Sequence, residues 1–362
     1  MSTEEEFARA ERRVLGAREA HELFGPAPGV GGEPGEQAAR CWRALARSLH
    51  PDACPPGMRG RASVAFARLG VLWGGYRGAG GEQQVRIATA QRSYRVGALV
   101  ARGDIANVYR VSYTRKGGEQ GEAVMKIARS PGDSDLMAAE AHALARLESH
   151  GPGHTRAYVP RLVESFTHRD ESTGARRGVT VMEPLAGFFT LAEVAAAYPE
   201  GVDARDAAWM WRRLLVALGH GHRAGLVHGA ALGANVLVHP GEHGLVLADW
   251  CYSVRAGQPL AAMVQGQERW YGPEVAARGP ATAATDIFTA TRTIEALVGT
   301  RMPPRLAVFA RGCALANPAA RPGDAWALLE ELDEVLEELW GPRRWRPFAM
   351  PAGAAAEGVA SR

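Results

Sequence analysis

Three early stretches carry apolar residues at three- and four-residue spacing: 17–24 (AREAHELF), 36–49 (EQAARCWRALARSL) and 60–76 (GRASVAFARLGVLWGGY). That spacing predicts three helices. The Gly/Pro-rich GPAPGVGGEPG separates the first two, and HPDACPPGMR the last two. On the third helix Phe66, Leu69, Leu72, Trp73 and Tyr76 form one stripe, which should pack on Trp42, Leu45 and Leu49. Residues 78–92 are Gly-rich, then polar, and read as a linker. From Tyr94 the period falls to two, predicting strands over 94–100, 107–113, 123–128, 158–166 and 177–185, with a helix over 133–150. Helices are expected over 190–199 and 203–225, then a hairpin of VLV (236–238) and LVLA (245–248) turning at HPGEHG. Two further helices are expected over 285–299 and 324–340. The resulting division is 1–77, a linker at 78–92, 93–185, 186–341 and a tail at 342–362. In that tail Trp345 and Phe348 should pin the chain, while 352–362 reads as disordered.

A chain of 362 residues is long enough for at least two domains with a sizeable core. Its 22% charged and 46% hydrophobic residues are those of an ordinary globular protein. Net charge is +3 (42 basic against 39 acidic), and no long Lys/Arg block points to nucleic acid or a membrane as the main partner. There is no uninterrupted apolar run of about 18 residues, and MSTEEEF lacks the pattern of a secretory signal, so a cytoplasmic location is expected. Cys41, Cys54, Cys251 and Cys313 have no C-x-x-C spacing and read as reduced thiols. His220, His222, His239 and His243 fall at turns and helix ends without a carboxylate-rich pattern, so no zinc site is expected. Abundant Ala, Gly and Arg with scarce Lys suggests a high-GC bacterial genome.

Two regions carry candidate chemistry. The first is His50-Pro51-Asp52, between a basic helix (Arg40, Arg43, Arg47) and the aromatic-striped one. Such a tripeptide also makes an ordinary turn capped by Asp. With both flanking helices in order, the segment resembles the J-domain of DnaJ-type cochaperones. That resemblance implies stimulation of ATP hydrolysis by a DnaK-type chaperone, with the basic helix docking on an acidic surface. The zinc-binding Cys repeats and Gly/Phe stretch of full-length DnaJ are missing, so client binding through those parts is not expected.

The second region is His228 to Trp250, HGAALGANVLVHPGEHGLVLADW, in which Asn235 and Asp249 bracket the hairpin and His228 stands seven positions before the Asn. Upstream, Lys126 interrupts the apolar strand AVMKIA and needs a partner. Glu140, flanked by Leu136 and Leu144, is the candidate. Together these resemble the eukaryotic-type protein kinase family, which writes H-R-D-L-x-x-x-N and D-F-G where this chain has HGAALGAN and DWC. A-R-G-D-I-A-N-V keeps one glycine, Gly103, of the family's G-x-G-x-x-G-x-V. RWYGPEV and NPAARPGDAW resemble the segments that supply a late ion pair, here Glu274 with Arg321.

The resemblance implies an α+β architecture: a three-helix J-like module joined to a bilobal kinase-like domain with a β-rich small lobe and a helical large lobe. It implies a nucleotide site of Gly103, Val108, Lys126, Glu140, Glu183, Leu185 and Leu237, with Met182 as gatekeeper. Val124 stands where the family usually has a smaller Ala, narrowing the pocket. It further implies a Mg²⁺ site at Asn235 and Asp249, with His228, Glu274, Asp286 and Arg321 structural. Asp249 and Asn235 also admit the plainer reading of a loop Asp and a capped turn. Ala230 replaces the catalytic aspartate, and a general base contributes about 10²- to 10⁴-fold. The expected function is therefore a J-domain cochaperone or adaptor carrying an ATP- and Mg²⁺-binding pseudokinase that brings a DnaK-type chaperone to a protein client. The alternatives are an atypical active serine/threonine kinase and a non-catalytic scaffold.

Overall fold

The computed structural model describes residues 3–17, 19–25, 36–51, 53–55, 57–79, 85–150, 153–169 and 174–351. The expectations for Asp52 and for 352–362 lie outside them. The chain is mixed α+β and divides into two compact units, Met1–Val85 and Arg86–Arg362.

Among the described residues of the first unit, four helices replace the predicted three: α1 (Thr3–Gly16), α2 (His21–Phe24), α3 (Glu36–Leu49) and α4 (Arg59–Ala79). AREAHELF yields only the single turn α2. The longer α1 lies ahead of it, where three acidic residues in the first turn and Arg13 in the last suit the helix dipole. Its buried face is sparse, Phe7, Ala10 and Val14, because charges fill the positions between. These residues close a core with Leu45, Leu49, Leu69, Leu72 and Tyr76. Trp73 stacks on Trp42 at 5.5 Å and on Tyr76 at 5.7 Å. Arg61 Nε donates to Glu11 at 2.9 Å, tying α4 to α1.

The second unit starts inside the predicted linker. Arg86–Ala88 is a strand, β1, whose Ile87 is buried opposite Tyr94 of β2 (Arg92–Arg102). Three residues with one apolar position leave no legible period, which is why this segment reads as linker. β3 (Ala106–Arg115), β4 (Gln120–Ala128), β5 (Leu162–Arg169) and β6 (Arg176–Met182) complete a six-stranded antiparallel sheet of order β1-β2-β3-β4-β6-β5. α5 (Ser134–Ser149) packs on β6.

The helical part follows a connector at 183–188. It comprises β7 (Phe189–Thr190), α6 (Leu191–Ala197), α7 (Ala204–Arg223), β8 (Leu226–Val227), β9 (Val236–His239), β10 (Gly244–Leu247) and β11 (Val254–Arg255). Then come α8 (Pro273–Ala276), α9 (Ala283–Val298), α10 (Pro304–Cys313) and α11 (Ala325–Trp340). Its core is built on Trp211, Leu214, Leu218, Ile287, Ile294, Leu328 and Leu332. In the tail Phe348 is buried and stacks on Tyr198 at 5.8 Å. Trp345, expected to pin the tail with it, is 68% exposed and lies against His243 only at its ring face. Among the described residues no helix is long and apolar enough to cross a membrane.

Candidate functional site

β9 and β10 pair antiparallel, Val236 opposite Leu247, and the Ala248 N–H donates to Asn235 O at 2.8 Å, so Asn235 and Asp249 both stand at the open end of the hairpin, offset by one residue. Both apolar runs are buried on both faces, which accounts for their near-continuous hydrophobicity. Asp249 takes a left-handed conformation (φ 60°, ψ 51°), which costs a non-glycine residue roughly 1 kcal/mol. Its carboxylate accepts from Lys126 Nζ at 2.5 Å, and a hydrogen bond between charged groups contributes about 1.5–3 kcal/mol, enough to offset that strain.

Lys126 Nζ also donates to Glu140 Oε1 at 2.8 Å, so one ammonium is held between two carboxylates from α5 and the hairpin end. Burial disfavours the ammonium, yet Asp249 and Glu140 outweigh it and hold the Lys126 pKa well above its ordinary value. Burial pushes Glu140 up, while for Asp249 the Lys126 charge overcomes burial and draws it down. Glu140 Oε2 is buried without a partner, an uncompensated acceptor that favours a further cation nearby. Donor atoms of Glu140, Asp249 and Cys251 lie within 4.8 Å of one another, but Lys126 already stands among them. The Asp249 side chain is 39% exposed, so of these three groups its carboxylate is the one that reaches solvent.

The 228–235 loop is fixed from below by Asp286 of α9. This buried carboxylate accepts from the backbone N–H of His228 at 2.7 Å and of Gly229 at 2.8 Å, and lies 3.0 Å from His222 Nε2. The His228 ring bridges Ala248 O at 2.8 Å and the Ala230 N–H at 3.2 Å, and burial lowers its pKa. Gly229 has φ 77°, and a Cβ there would stand 2.9 Å from Tyr252 O, so no side chain fits this position without shifting the loop. Asn235 Nδ2 donates to Ala230 O at 3.0 Å, so the amide braces the loop as well as facing the hairpin end. Ala230 is fully buried, its methyl in an apolar cluster with Cys251 and Tyr252.

A third layer lies above, and sequence reasoning missed it. The turn between β2 and β3 places Asp104 against Tyr252, whose hydroxyl donates to the carboxylate. Ile105 packs on the Ala230 cluster. Arg129 Nη1 donates to Gly103 O at 3.0 Å and Asp104 O at 3.3 Å, and its N–H to Ile105 O at 2.8 Å. Burial and the Asp104 carboxylate push the Tyr252 phenol far above its ordinary pKa. Asp104 and Tyr252 are ordinary polar residues 148 positions apart, and no spacing rule joins them.

The other residues expected at a nucleotide site are distributed along the same unit. Val108, Val124 and Met182 join the large hydrophobic cluster, and Leu237 is buried on β9 opposite Thr190. The Glu183 N–H donates to Arg161 O at 3.0 Å, while its carboxylate pairs with Arg161 at the surface. Leu185 lies in the connector, its carbonyl accepting from Phe188 at 3.5 Å. Farther off, Arg321 donates to both Glu274 oxygens, at 2.7 and 2.9 Å. In the first unit the His50 ring meets Phe66 edge-on at 5.2 Å, beside Pro51. Both border a groove of about 1090 Å³ lined by Arg40, Trp42, Arg43, Arg47, His50 and Phe66.

Comparison with models of known protein families gave no match, and a search of the curated proteins gave none either.

Proposed function

We propose that residues 86–351 form a bilobal kinase-like domain that takes up a magnesium nucleotide without fast phosphotransfer, carried with a J-like module that recruits a DnaK-type chaperone to a protein client. The observation that carries this reading is the buried Lys126, held between Glu140 and Asp249 at 2.8 and 2.5 Å from positions 14 and 123 residues away. A buried ion pair is weak evidence for stability, since well-packed apolar residues often serve as well. Its retention at the mouth of the hairpin is better explained by a ligand.

Two carboxylates, Glu140 and Asp249, flank one ammonium, a surplus of negative charge that a bare triphosphate would meet with repulsion and a divalent ion would neutralise. Asp249 and Asn235 offer the oxygen atoms such an ion prefers. The ion would screen the phosphates. Ala230 leaves the acceptor hydroxyl without a carboxylate to orient it, and its methyl is enclosed rather than open to a substrate. For the first unit, support comes from His50 at the end of α3 beside a groove with three arginines. The remaining member of that tripeptide, Asp52, lies outside the described residues.

Mg-ATP at about 100 times its Kd should stabilise the chain by about 2.7 kcal/mol. A thermal-shift titration should show a rise in midpoint that Lys126→Ala abolishes and that metal-free ATP fails to produce. An unmoved midpoint would favour the non-catalytic scaffold. Transfer of labelled phosphate at rates ordinary for kinases would replace the proposal with the active-kinase reading. For the J-like module, wild-type chain should stimulate a DnaK-type ATPase and His50→Gln should not.

A further inference from the structure

We propose that the 103–105 turn is a lid latched over Ala230 by the hydrogen bond between Asp104 and Tyr252, so that access to the 228–235 loop depends on whether this bond is made. Three contacts carry it. The Tyr252 hydroxyl donates to the Asp104 carboxylate, Ile105 seats on Ala230, Cys251 and Tyr252, and Arg129 grips the carbonyls of Gly103, Asp104 and Ile105. The two sides of the latch differ in how firmly they are held. Tyr252 is buried in the three-residue turn after Asp249, its backbone oxygen packed close to Gly229 of the loop beneath. Asp104 and Gly103 are exposed on a short turn tied down by hydrogen bonds from Arg129 and to Ala106, so theirs is the side that opens when these give way.

The latch also has a chemical logic. With the hydrogen bond made, Asp104 presents its carboxylate, and Ile105 its apolar body, over the loop that would meet an acceptor hydroxyl. With it broken, Ile105 can lift and the buried methyl of Ala230 opens to whatever enters beside Asp249. The latch itself requires no ligand; that it gates a nucleotide phosphate rests on the kinase-like reading.

Hydrogen exchange on the intact chain tests it. Tyr252→Phe keeps the ring and removes only the hydroxyl, and Asp104→Ala removes the acceptor. Losing a hydrogen bond to a charged group should raise exchange across 102–108 about tenfold in either variant. α9 should keep wild-type protection. Because both act through one bond, the double variant should exchange no faster than the quicker single one. Ile105→Ala should raise exchange in the same segment while leaving the hydroxyl bond available.

Unchanged exchange in Tyr252→Phe and Asp104→Ala overturns the latch, as does strict additivity of the two. Association of a fluorescent ATP analogue with Mg²⁺, followed in the same variants, separates the two proposals. Faster exchange together with faster association supports both. Faster exchange with no nucleotide bound by any variant keeps the latch and removes the nucleotide.

Discussion

On the kinase-like reading proposed above, the question at position 230 is whether the absent carboxylate alone keeps the site from phosphotransfer. The structure argues otherwise, because the methyl group is fully buried among Ile105, Cys251 and Tyr252. Ala230→Asp would place an ionisable group in that apolar cluster, and a buried unpaired polar group costs about 1–3 kcal/mol, more if charged. The expected outcome is a midpoint lowered by about 4–8 °C for a loss of about 2 kcal/mol in a unit of this size. Labelled-phosphate transfer should stay far below kinase rates. Combined with Ile105→Ala, which makes room, the same substitution should cost less. If Ala230→Asp alone melted like wild type and turned over rapidly, the enclosure would be irrelevant and, on the kinase-like reading proposed above, a carboxylate at this position would be all that the site lacks. The neighbouring Glu140 shows why such placement matters: its Oε1 is satisfied by Lys126, but its buried Oε2 is not, and burial pushes its pKa up.

Among the elements, the junction of α8, α9 and the turn before α11 is held by one side chain. Arg321 is fully buried and spends every donor: Nε on Leu315 O, Nη1 on Glu274 and Ala284 O, Nη2 on Glu274 and Ala316 O, with its carbon 4.4 Å from the Phe288 ring centre. Removing one partner of a buried pair costs about 3–5 kcal/mol because the other charge is stranded, so Arg321→Ala should lose that much in urea unfolding. Arg321→Lys should recover little, since an ammonium has three donors and no fork. A lysine variant within about 1 kcal/mol of wild type would mean that the carbonyl contacts carry little. This pair was legible because motif order named both partners, and Lys126–Glu140 because a lysine in an apolar strand demands a carboxylate. The hairpin, α5, α7 and α11 were legible from sustained periodicity. α1 was missed because three apolar positions are scattered among charges, and β1 because its only buried residue is Ile87. α10 was missed because Leu306, Ala310 and Cys313 sit in a stretch bounded by prolines and small residues. The Asp104–Tyr252 contact was invisible because it exists only after β2–β3 and the hairpin have been brought together.

For the whole molecule, buried titratable groups predict how stability follows pH. Burial lowers the pKa of His220, His228 and His243, all in the second unit, below their ordinary 6.5. The unfolded chain therefore binds more protons than the folded one once pH drops below 6.5, and stability falls as pH falls through that range. The carboxylates act lower. Lys126 and Arg321 overcome desolvation at Asp249 and Glu274 and hold them below their ordinary 3.8 and 4.5, so their contribution is present above those values and lost beneath. Glu140, raised by burial, opposes this in part, since its proton is taken up in the folded state. In the first unit the lowered carboxylate is Glu11, through its hydrogen bonds from Arg61, and its contribution is likewise kept until pH falls to about its ordinary 4.5. Calorimetry on the intact chain should thus show the transition of residues 86–351 moving down between about pH 7.5 and about pH 5.5, before the carboxylates titrate. A midpoint that stayed flat or rose on acidification over that interval would mean that the three imidazoles gain a proton without opening the fold. The packing drawn around them, His228 against Trp250 and His243 against Trp209, would then have to be looser than it stands.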